Sequence, residues 1–483
     1  MGSDVKKELV KGVYYTAIAK YVGMAISLFV VAILSRIISP RDFGIVAIAT
    51  VLIQFLGNFT EMGLESAIIQ HKDLTKKDLS NIFSFTFWVG IVITIIFFFA
   101  SWGIADYYKD RTLLVICQVL SVNLFFATVS IVPGALLYKE KLFKFIAYRS
   151  VTVQVTGGVI SVIAALSGFG LYSLIISPVL SSIALFVINY KKFPQKLSFT
   201  LGLESIKPIF SYSIYQFMFG FINYFSRNLD KLIVGKYLGL TSLGFYEKSY
   251  RLMMLPLQNI AHVIGPVMHP VFSDYQNDQK QLVISYEKVV RFLAFIGFPL
   301  SVLLYFTAKE LTLIIFGPAW QASVPVFEIL AISVGTQIIL STSGAIFQAA
   351  NSTKTLFFCG LFNTIITVSG MFFAIIAFKT IEAVAWSITI TFILNFFLSY
   401  VVMYFHLFRI NIISLFKQIV PALLLSGLLI IINVIYGHFV KIDNLIVSLI
   451  AKCVLNGMVF LPYIQFSGEY DIIDKAKQIL KKQ

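Results

Sequence analysis

The sequence predicts an all-α polytopic membrane protein with about fourteen transmembrane helices. Of its 483 residues, 58% are hydrophobic and only 13% are charged, and the mean hydropathy is +0.87. Soluble domains carry about 25% charged residues, so this composition excludes an ordinary soluble protein. Long apolar runs, each able to cross a hydrocarbon core of about 30 Å, define the predicted helices.

Apolar run length places fourteen spans along the chain. They lie at 13–38, 43–69, 81–104, 113–137, 146–167, 170–190, 207–238, 243–272, 288–315, 323–350, 354–378, 382–408, 415–436 and 444–466. The stretch before the first span, 1–11, is short, polar and basic, which predicts a cytoplasmic tail rather than a signal peptide. The tail 469–483 has the spacing of a short amphipathic helix that would rest on the inner leaflet, although a frayed polar tail fits equally well.

The distribution of lysine and arginine predicts the orientation. If the N-terminus and the even-numbered loops share one side, that side holds about 24 of the 38 basic residues. Both termini of this multi-pass membrane protein should therefore be cytoplasmic. The net charge of +15 follows from these loops and does not indicate a nucleic-acid partner.

The residues that usually carry catalysis or metal binding form no pattern in this sequence. The three cysteines, Cys117, Cys359 and Cys453, stand alone in apolar spans, without metal-ligand spacing. Ser/His/Asp constellations and phosphate-binding glycine loops are missing from the sequence too. We therefore expect no cofactor, no metal and no enzymatic activity.

An internal repeat relates the first two spans to the seventh and eighth. A shift of 200 residues aligns them without a gap, so that Tyr15 meets Tyr215 and Gly44 meets Gly244. Two repeats of six spans with the same orientation predict two lobes about an axis along the membrane normal, a common transporter plan. Shared hydropathy alone is the alternative explanation.

Polar residues at helical spacing mark the faces that should line a cavity. A charge in the hydrocarbon core is costly, so such stripes should face water, a ligand or a buried partner. The stripes comprise Thr16, Lys20, Gly23 and Ser27 in the first span, Gln54, Asn58, Glu61 and Glu65 in the second, Gln216, Gly220, Asn223, Arg227, Asp230 and Lys231 in the seventh, and Arg251 and Gln258 in the eighth. A buried ion pair of Asp230 with a neighbouring cation is the structural alternative for part of this set.

Two stretches resemble one known family. They are Leu34-Ser35-Arg36-Ile37-Ile38-Ser39-Pro40-Arg41-Asp42-Phe43-Gly44 with Glu61-Met62-Gly63-Leu64, and Arg227 to Gly239 with Leu243-Gly244-Phe245-Tyr246. The chain resembles the bacterial polysaccharide flippases, the O-antigen, lipopolysaccharide and capsule exporters of the multidrug/oligosaccharidyl-lipid/polysaccharide superfamily. Part of the first motif also has a local explanation, because Ser39 suits an N-cap and Pro40 a first helical position.

The resemblance implies the architecture and the substrate class. It implies a lobe at 1–200, a second lobe at 201–408, two extra spans within 409–466, and a tail at 467–483. The implied substrate is an undecaprenyl-diphosphate-linked oligosaccharide, moved from the inner to the outer leaflet.

Roles for the stripe residues follow from this substrate. We expect Lys20, Arg227, Lys231 and Arg251 to supply positive charge for the diphosphate. Gln54, Asn58, Gln216, Asn223 and Gln258 would meet sugar hydroxyls, although each of these amides also suits a bond to a neighbouring helix. Glu61, Glu65 and Asp230 would bind a coupling proton or sodium ion, or else neutralise a nearby cation.

Two other functions remain as alternatives. A multidrug cation exporter of the same superfamily would favour an acidic cavity over this basic one. A membrane glycosyltransferase or polymerase usually carries a sizeable external loop, and no predicted loop here exceeds about 20 residues.

Overall fold

The computed structural model describes residues 3–61, 63–71, 73–199, 224, 227–273, 278–350 and 352–466. Within these residues the chain is helical, with short turns and no strand. The predicted all-α membrane fold is therefore confirmed.

The chain forms two compact units, Met1–Gly244 and Phe245–Gln483. In the first unit the helices are α1 Ser3–Ile37, α2 Pro40–Glu61, α3 Leu64–Gln70, α4 Lys76–Tyr108, α5 Thr112–Val129, α6 Ile131–Lys139, α7 Phe143–Leu166, α8 Ser173–Lys192 and α9 227–237. Helix α10, Leu240–Ser273, contains the boundary between the units. The predicted lobes 1–200 and 201–408 concern the repeat, and they stay a prediction.

The second unit continues after α10 with nine further helices. They are α11 Gln279–Phe306, α12 Ala308–Phe316, α13 Ser323–Ala331, α14 Val334–Leu340, α15 Ser343–Ala349, α16 Thr353–Phe378, α17 Ile381–Val401, α18 Ile413–Phe439 and α19 Leu445–Phe466. A π-helical segment, Val402–Phe408, extends α17.

Eleven helices of the described chain are long and apolar enough to cross a membrane. A further pair, Ser323–Ala331 with Val334–Ala349, is bent by 48° and corresponds to the predicted tenth span. The predicted eighth span is helical throughout as α10, and most of the predicted seventh lies outside the described residues. The structure thus agrees with about fourteen spans.

Several predicted spans differ in their bounds; the first, for example, begins at Ser3 rather than at residue 13. The second is interrupted at Gly63, whose φ of 70° is left-handed, so a short helix α3 follows the break. The fourth divides into α5 and α6 at Ser130. The ninth begins at Gln279 and ends at Phe306, each about nine residues earlier than predicted. It begins there because the Asp278 side chain caps the helix by accepting a hydrogen bond from the Gln281 amide.

The start of α2 follows its local chemistry. Pro40 is its first residue, and the Asp42 amide donates to Ser39 Oγ at 3.3 Å. The Ser39 hydroxyl also donates to the Asp42 carboxylate at 2.8 Å. The predicted N-cap at Ser39 is therefore confirmed.

Candidate functional site

Two helix turns contact each other through glycine in the first unit. A Cβ placed on Gly44 would lie 1.8 Å from the carbonyl oxygen of Leu240, and one placed on Gly244 would lie 2.0 Å from that of Pro40. Only glycine allows backbones this close. Gly44 thus contacts the residue four positions before Gly244, and Gly244 contacts the residue four positions before Gly44, so the two contacts are reciprocal under the 200-residue shift.

A second contact fixes the register of α2 against α9. A Cβ on Gly235 would lie 2.7 Å from Ile48 Cδ1, so these two positions share one level. At a rise of about 1.5 Å per residue, Lys231 and Arg227 lie about 6 and 12 Å further from the turn. Gln54 and Asn58 lie about 9 and 15 Å from Ile48 along α2. Measured along each helix, the described part of one stripe thus lies about 6–12 Å and that of the other about 9–15 Å beyond this contact.

The accessibility of these side chains is uneven. Gln54 and Arg227 are exposed, Asn58 and Lys231 are half-buried, and Asp230 is only 5% exposed. Between the helices, Tyr224 donates from its hydroxyl to the Val51 carbonyl at 2.5 Å. The described stripes therefore offer two cations on α9 and two amide side chains on α2, with a buried carboxylate at Asp230.

Lys20 is exposed on α1, whereas the neighbouring glycine of the stripe is a packing position. The Gln154 amide of α7 donates to the Gly23 carbonyl at 2.8 Å, and a Cβ on Gly23 would clash with that side chain at 2.6 Å. Only part of the first stripe therefore faces open space.

The acidic pair lies beside the break at Gly63. Glu61, the last residue of α2, is exposed, and Glu65 in α3 is half-buried. The charges that act on the Glu65 carboxylate are those of Glu61 and Arg149. Arg149 was not among the predicted site residues; its position within the predicted fifth span, 146–167, was the available signal.

Arg149 belongs to a polar cluster that the sequence did not indicate. Its guanidinium donates to Asn189 Oδ1, and the Asn189 amide donates to Ser130 Oγ at 3.0 Å. Asn189 is buried in α8. This cluster joins α7 and α8 at the turn between α5 and α6.

In the second unit, the predicted Arg251 is half-buried and Gln258 is exposed, both on α10. Sequence analysis passed over their neighbour Lys248, which is 1% exposed. Its Nζ lies 5.2 Å from the ring centroid of Phe316 and 5.4 Å from that of Trp320, within cation–π range. A lysine enclosed by two aromatic rings has no periodic signal, because its partners are distant in sequence.

A buried ion pair holds the last span in the second unit. Lys452 Nζ in α19 lies 2.5 Å from Glu310 Oε1 in α12, and Ser448 Oγ donates to the same oxygen at 2.7 Å. Lys452 also donates to the Phe306 carbonyl at 2.7 Å. A single lysine inside the apolar fourteenth span was the signal that sequence analysis left unused.

Some predicted positions lie outside the described residues. They are Gln216, Asn223 and the tail 469–483. Within the described part of the chain, no group of three or more His, Cys, Asp and Glu side chains is placed to hold a metal ion.

The model of one family, described as "Polysaccharide biosynthesis protein", matches residues 33–325. The match contains both motifs and the Gly44 and Gly244 turns. The chain belongs to this family of polysaccharide biosynthesis proteins. The identification made from the motifs is therefore confirmed.

Relatives and solved structures agree with this membership. The chain is 22% identical over 432 residues to the teichuronic acid biosynthesis protein TuaB of Bacillus subtilis, covering 88% of each chain. It is 22% identical over 462 residues to the lipopolysaccharide biosynthesis protein WzxC of Escherichia coli, covering 94% of this chain and 89% of that one. The fold is similar to that of the lipid II flippase MurJ in an inward closed conformation, with a TM-score of 0.75, 16% identity and coverage of 95% and 99%.

Proposed function

We propose that this polysaccharide biosynthesis protein is a flippase. It moves an undecaprenyl-diphosphate-linked oligosaccharide from the inner to the outer leaflet of the bacterial inner membrane by alternating access. The observation that carries the proposal is that α9 with its cationic stripe packs against α2 with its amide stripe at Gly235 and Ile48, in a chain of this family. Both termini are cytoplasmic in this proposal.

The chemistry of the stripes suits the proposed head group. A diphosphate needs arginine and lysine, and the exposed Arg227 with the half-buried Lys231 supplies both. The amides of Gln54 and Asn58 on the adjacent α2 suit sugar hydroxyls. The polyprenyl chain stays in the surrounding lipid, so only the head needs this polar surface.

Alternating access needs a contact that forms in one state and breaks in another. The Gly44–Leu240 and Gly244–Pro40 contacts fit that requirement, since they join the turns at one end of the two repeated helix pairs. Glu61, Glu65 and Asp230 would bind the coupling proton or sodium ion.

Translocation in proteoliposomes tests the function. The probe is a polyprenyl diphosphate that carries one fluorescent sugar, and dithionite quenching measures its transfer across the bilayer. We expect transfer with the wild-type protein and little with Arg227→Ala. A multidrug cation exporter would instead transport ethidium and leave the lipid probe in place, and that result would overturn the proposal.

A further inference from the structure

A basic cleft with aromatic walls lies at the turn between α6 and α7. It is an open depression of about 440 Å³. Its lining residues are Lys141, Leu142, Phe143, Lys144, Phe145 and Tyr148. No stripe residue of the proposed transport path belongs to it.

The lysines of the cleft stand against its aromatic rings. Lys144 Nζ lies 5.9 Å from the Tyr148 ring centroid, and Lys192 Nζ from the end of α8 lies 6.0 Å from that of Phe145. These distances are within cation–π range, which orients the ammonium groups without neutralising them. In the turn 139–144, Glu140 is the single acid.

The cleft lies at the N-terminal end of α1. A Cβ on Gly12 would contact the Phe143 ring at 3.0 Å, so the turn and the start of the first span share one side. That side is cytoplasmic in the predicted orientation. Anionic lipids of the cytoplasmic leaflet attract basic segments of this kind.

An apolar face continues from the cleft along α7. Tyr148 is 64% exposed, and Val155, Val159 and Ile163 follow it at spacings of seven, four and four, all exposed. These spacings keep the four side chains on one helical face. A ligand with a negative head and hydrocarbon chains matches both parts, whereas a free phosphate matches only the head.

We propose that this cleft binds the phosphate headgroup of an anionic phospholipid, with its acyl chains along the exposed face of α7. The lysines hold the phosphate, and Tyr148 marks the boundary between headgroup and hydrocarbon, as interfacial tyrosines do. This inference goes beyond the proposed function, because it concerns lipid binding rather than transport.

The test measures phosphatidylglycerol binding to the purified full-length protein by native mass spectrometry. The cleft variant combines Lys141→Gln, Lys144→Gln and Lys192→Gln. Its control combines Lys76→Gln, Lys77→Gln and Lys354→Gln, which removes the same charge from exposed lysines at other predicted cytoplasmic turns. Phosphatidylethanolamine is the zwitterionic reference lipid.

We expect the cleft variant to bind phosphatidylglycerol roughly a hundredfold more weakly, because it removes three lysines from the headgroup site and each lysine beside an anionic headgroup contributes about fivefold. The control should bind phosphatidylglycerol like wild type. Both variants should bind phosphatidylethanolamine as the wild type does. Equal binding by all three proteins, or equal loss in both variants, would overturn the proposal.

Two further measurements complete the design. Tyr148→Leu keeps every charge and should weaken phosphatidylglycerol binding severalfold, which covers the case in which the triple variant does not fold. Undecaprenyl diphosphate is titrated in parallel. If the cleft variant loses that ligand and keeps phosphatidylglycerol, the cleft belongs to the transport substrate and the lipid proposal is wrong. Loss of phosphatidylglycerol with normal translocation leaves the proposed function intact.

Discussion

Gly44 and Gly244 each pack against the backbone of the other's turn. A Cβ built on Gly44 would lie 1.8 Å from the carbonyl oxygen of Leu240, and one built on Gly244 would lie 2.0 Å from the carbonyl oxygen of Pro40. These separations are much shorter than a van der Waals contact. A side chain at either glycine would therefore push the two turns apart. The reciprocal pattern ties the two helix pairs at the residues that the 200-residue repeat aligns.

Alanine at either glycine should therefore destabilise the protein. We expect a loss of about 1–3 kcal/mol for Gly44→Ala and for Gly244→Ala, the usual cost of overpacking. Gly57→Ala is the matched control in the same helix, because its Cβ would meet no atom within 4 Å. That substitution should stabilise by roughly 0.5–1 kcal/mol, since alanine favours a helix. Melting temperatures check this, and a Gly44→Ala protein as stable as Gly57→Ala would contradict the contact.

The buried Lys452–Glu310 pair should show strong energetic coupling. Lys452→Met leaves the Glu310 carboxylate, 4% exposed, without its cation and should cost about 3–5 kcal/mol. Combining it with Glu310→Gln removes the stranded charge and should recover much of that loss. Denaturant unfolding of both single variants and the double variant gives the coupling free energy. Additive losses would show that the two groups act independently.

Acid should weaken the protein partly through Asp110, in the loop between α4 and α5. Burial acts to raise the pKa of Asp110, but hydrogen bonds from Thr112 and the nearby Arg41 guanidinium lower it overall, below 3.8. Arg41 Nη2 lies 2.5 Å from its Oδ2. Because the folded pKa is depressed, the carboxylate stabilises the fold fully above the unfolded value, and this contribution is lost as pH falls through the folded pKa.

Asp110→Asn checks that sign. Wild type should melt higher than the variant at pH 6, and the difference should shrink as pH falls below about 4. A difference that stays constant from pH 6 to pH 3 would assign the stabilisation to the hydrogen bond with Thr112 rather than to charge.

If Arg227 holds the diphosphate, its loss should weaken binding of undecaprenyl diphosphate. A charge-assisted bidentate contact contributes about 1.5–3 kcal/mol, so Arg227→Ala should raise the Kd roughly ten- to over a hundredfold. Arg227→Lys keeps the charge but loses the planar fork, so its Kd should lie between those of wild type and Arg227→Ala. Arg111→Ala, at an exposed arginine before α5, is the control.

The structural alternative for Arg227 is an ion pair with Asp230. It predicts that Arg227→Gln with Asp230→Asn regains stability and binds the diphosphate like wild type. Wild-type binding by that double variant would place the phosphate site elsewhere.

The acids beside Gly63 should affect coupling rather than binding. We expect Glu61→Gln or Glu65→Gln to abolish gradient-driven translocation while the Kd for undecaprenyl diphosphate stays near that of wild type. Glu140→Gln, an exposed acid in the α6–α7 turn, is the control. Transport with unchanged pH and sodium dependence in both variants would exclude these carboxylates as the ion site.

The part of the site that lies on single helices was predictable. Spacing alone placed Gln54 and Asn58 on one face, and Arg227 and Lys231 on another, because a helix repeats every 3.6 residues. It did not predict that Gly23 of the first stripe packs against Gln154, or that Arg149 would be the cation beside Glu65. Those outcomes depend on which helix lies next to which.

The sequence by itself determined the membrane class, the approximate spans, the start of α2 at Ser39-Pro40 and the family. Each of these follows from run length, local capping chemistry or contiguous motifs, which act over a few turns of one helix. Only the tertiary structure decided that Gly44 meets Leu240, that Gly235 of α9 packs against Ile48 of α2, and that Lys452 pairs with Glu310 across 142 residues of chain. The physical reason is that hydropathy and periodicity fix what a helix buries, whereas its partner is selected by packing between segments that are far apart in the chain.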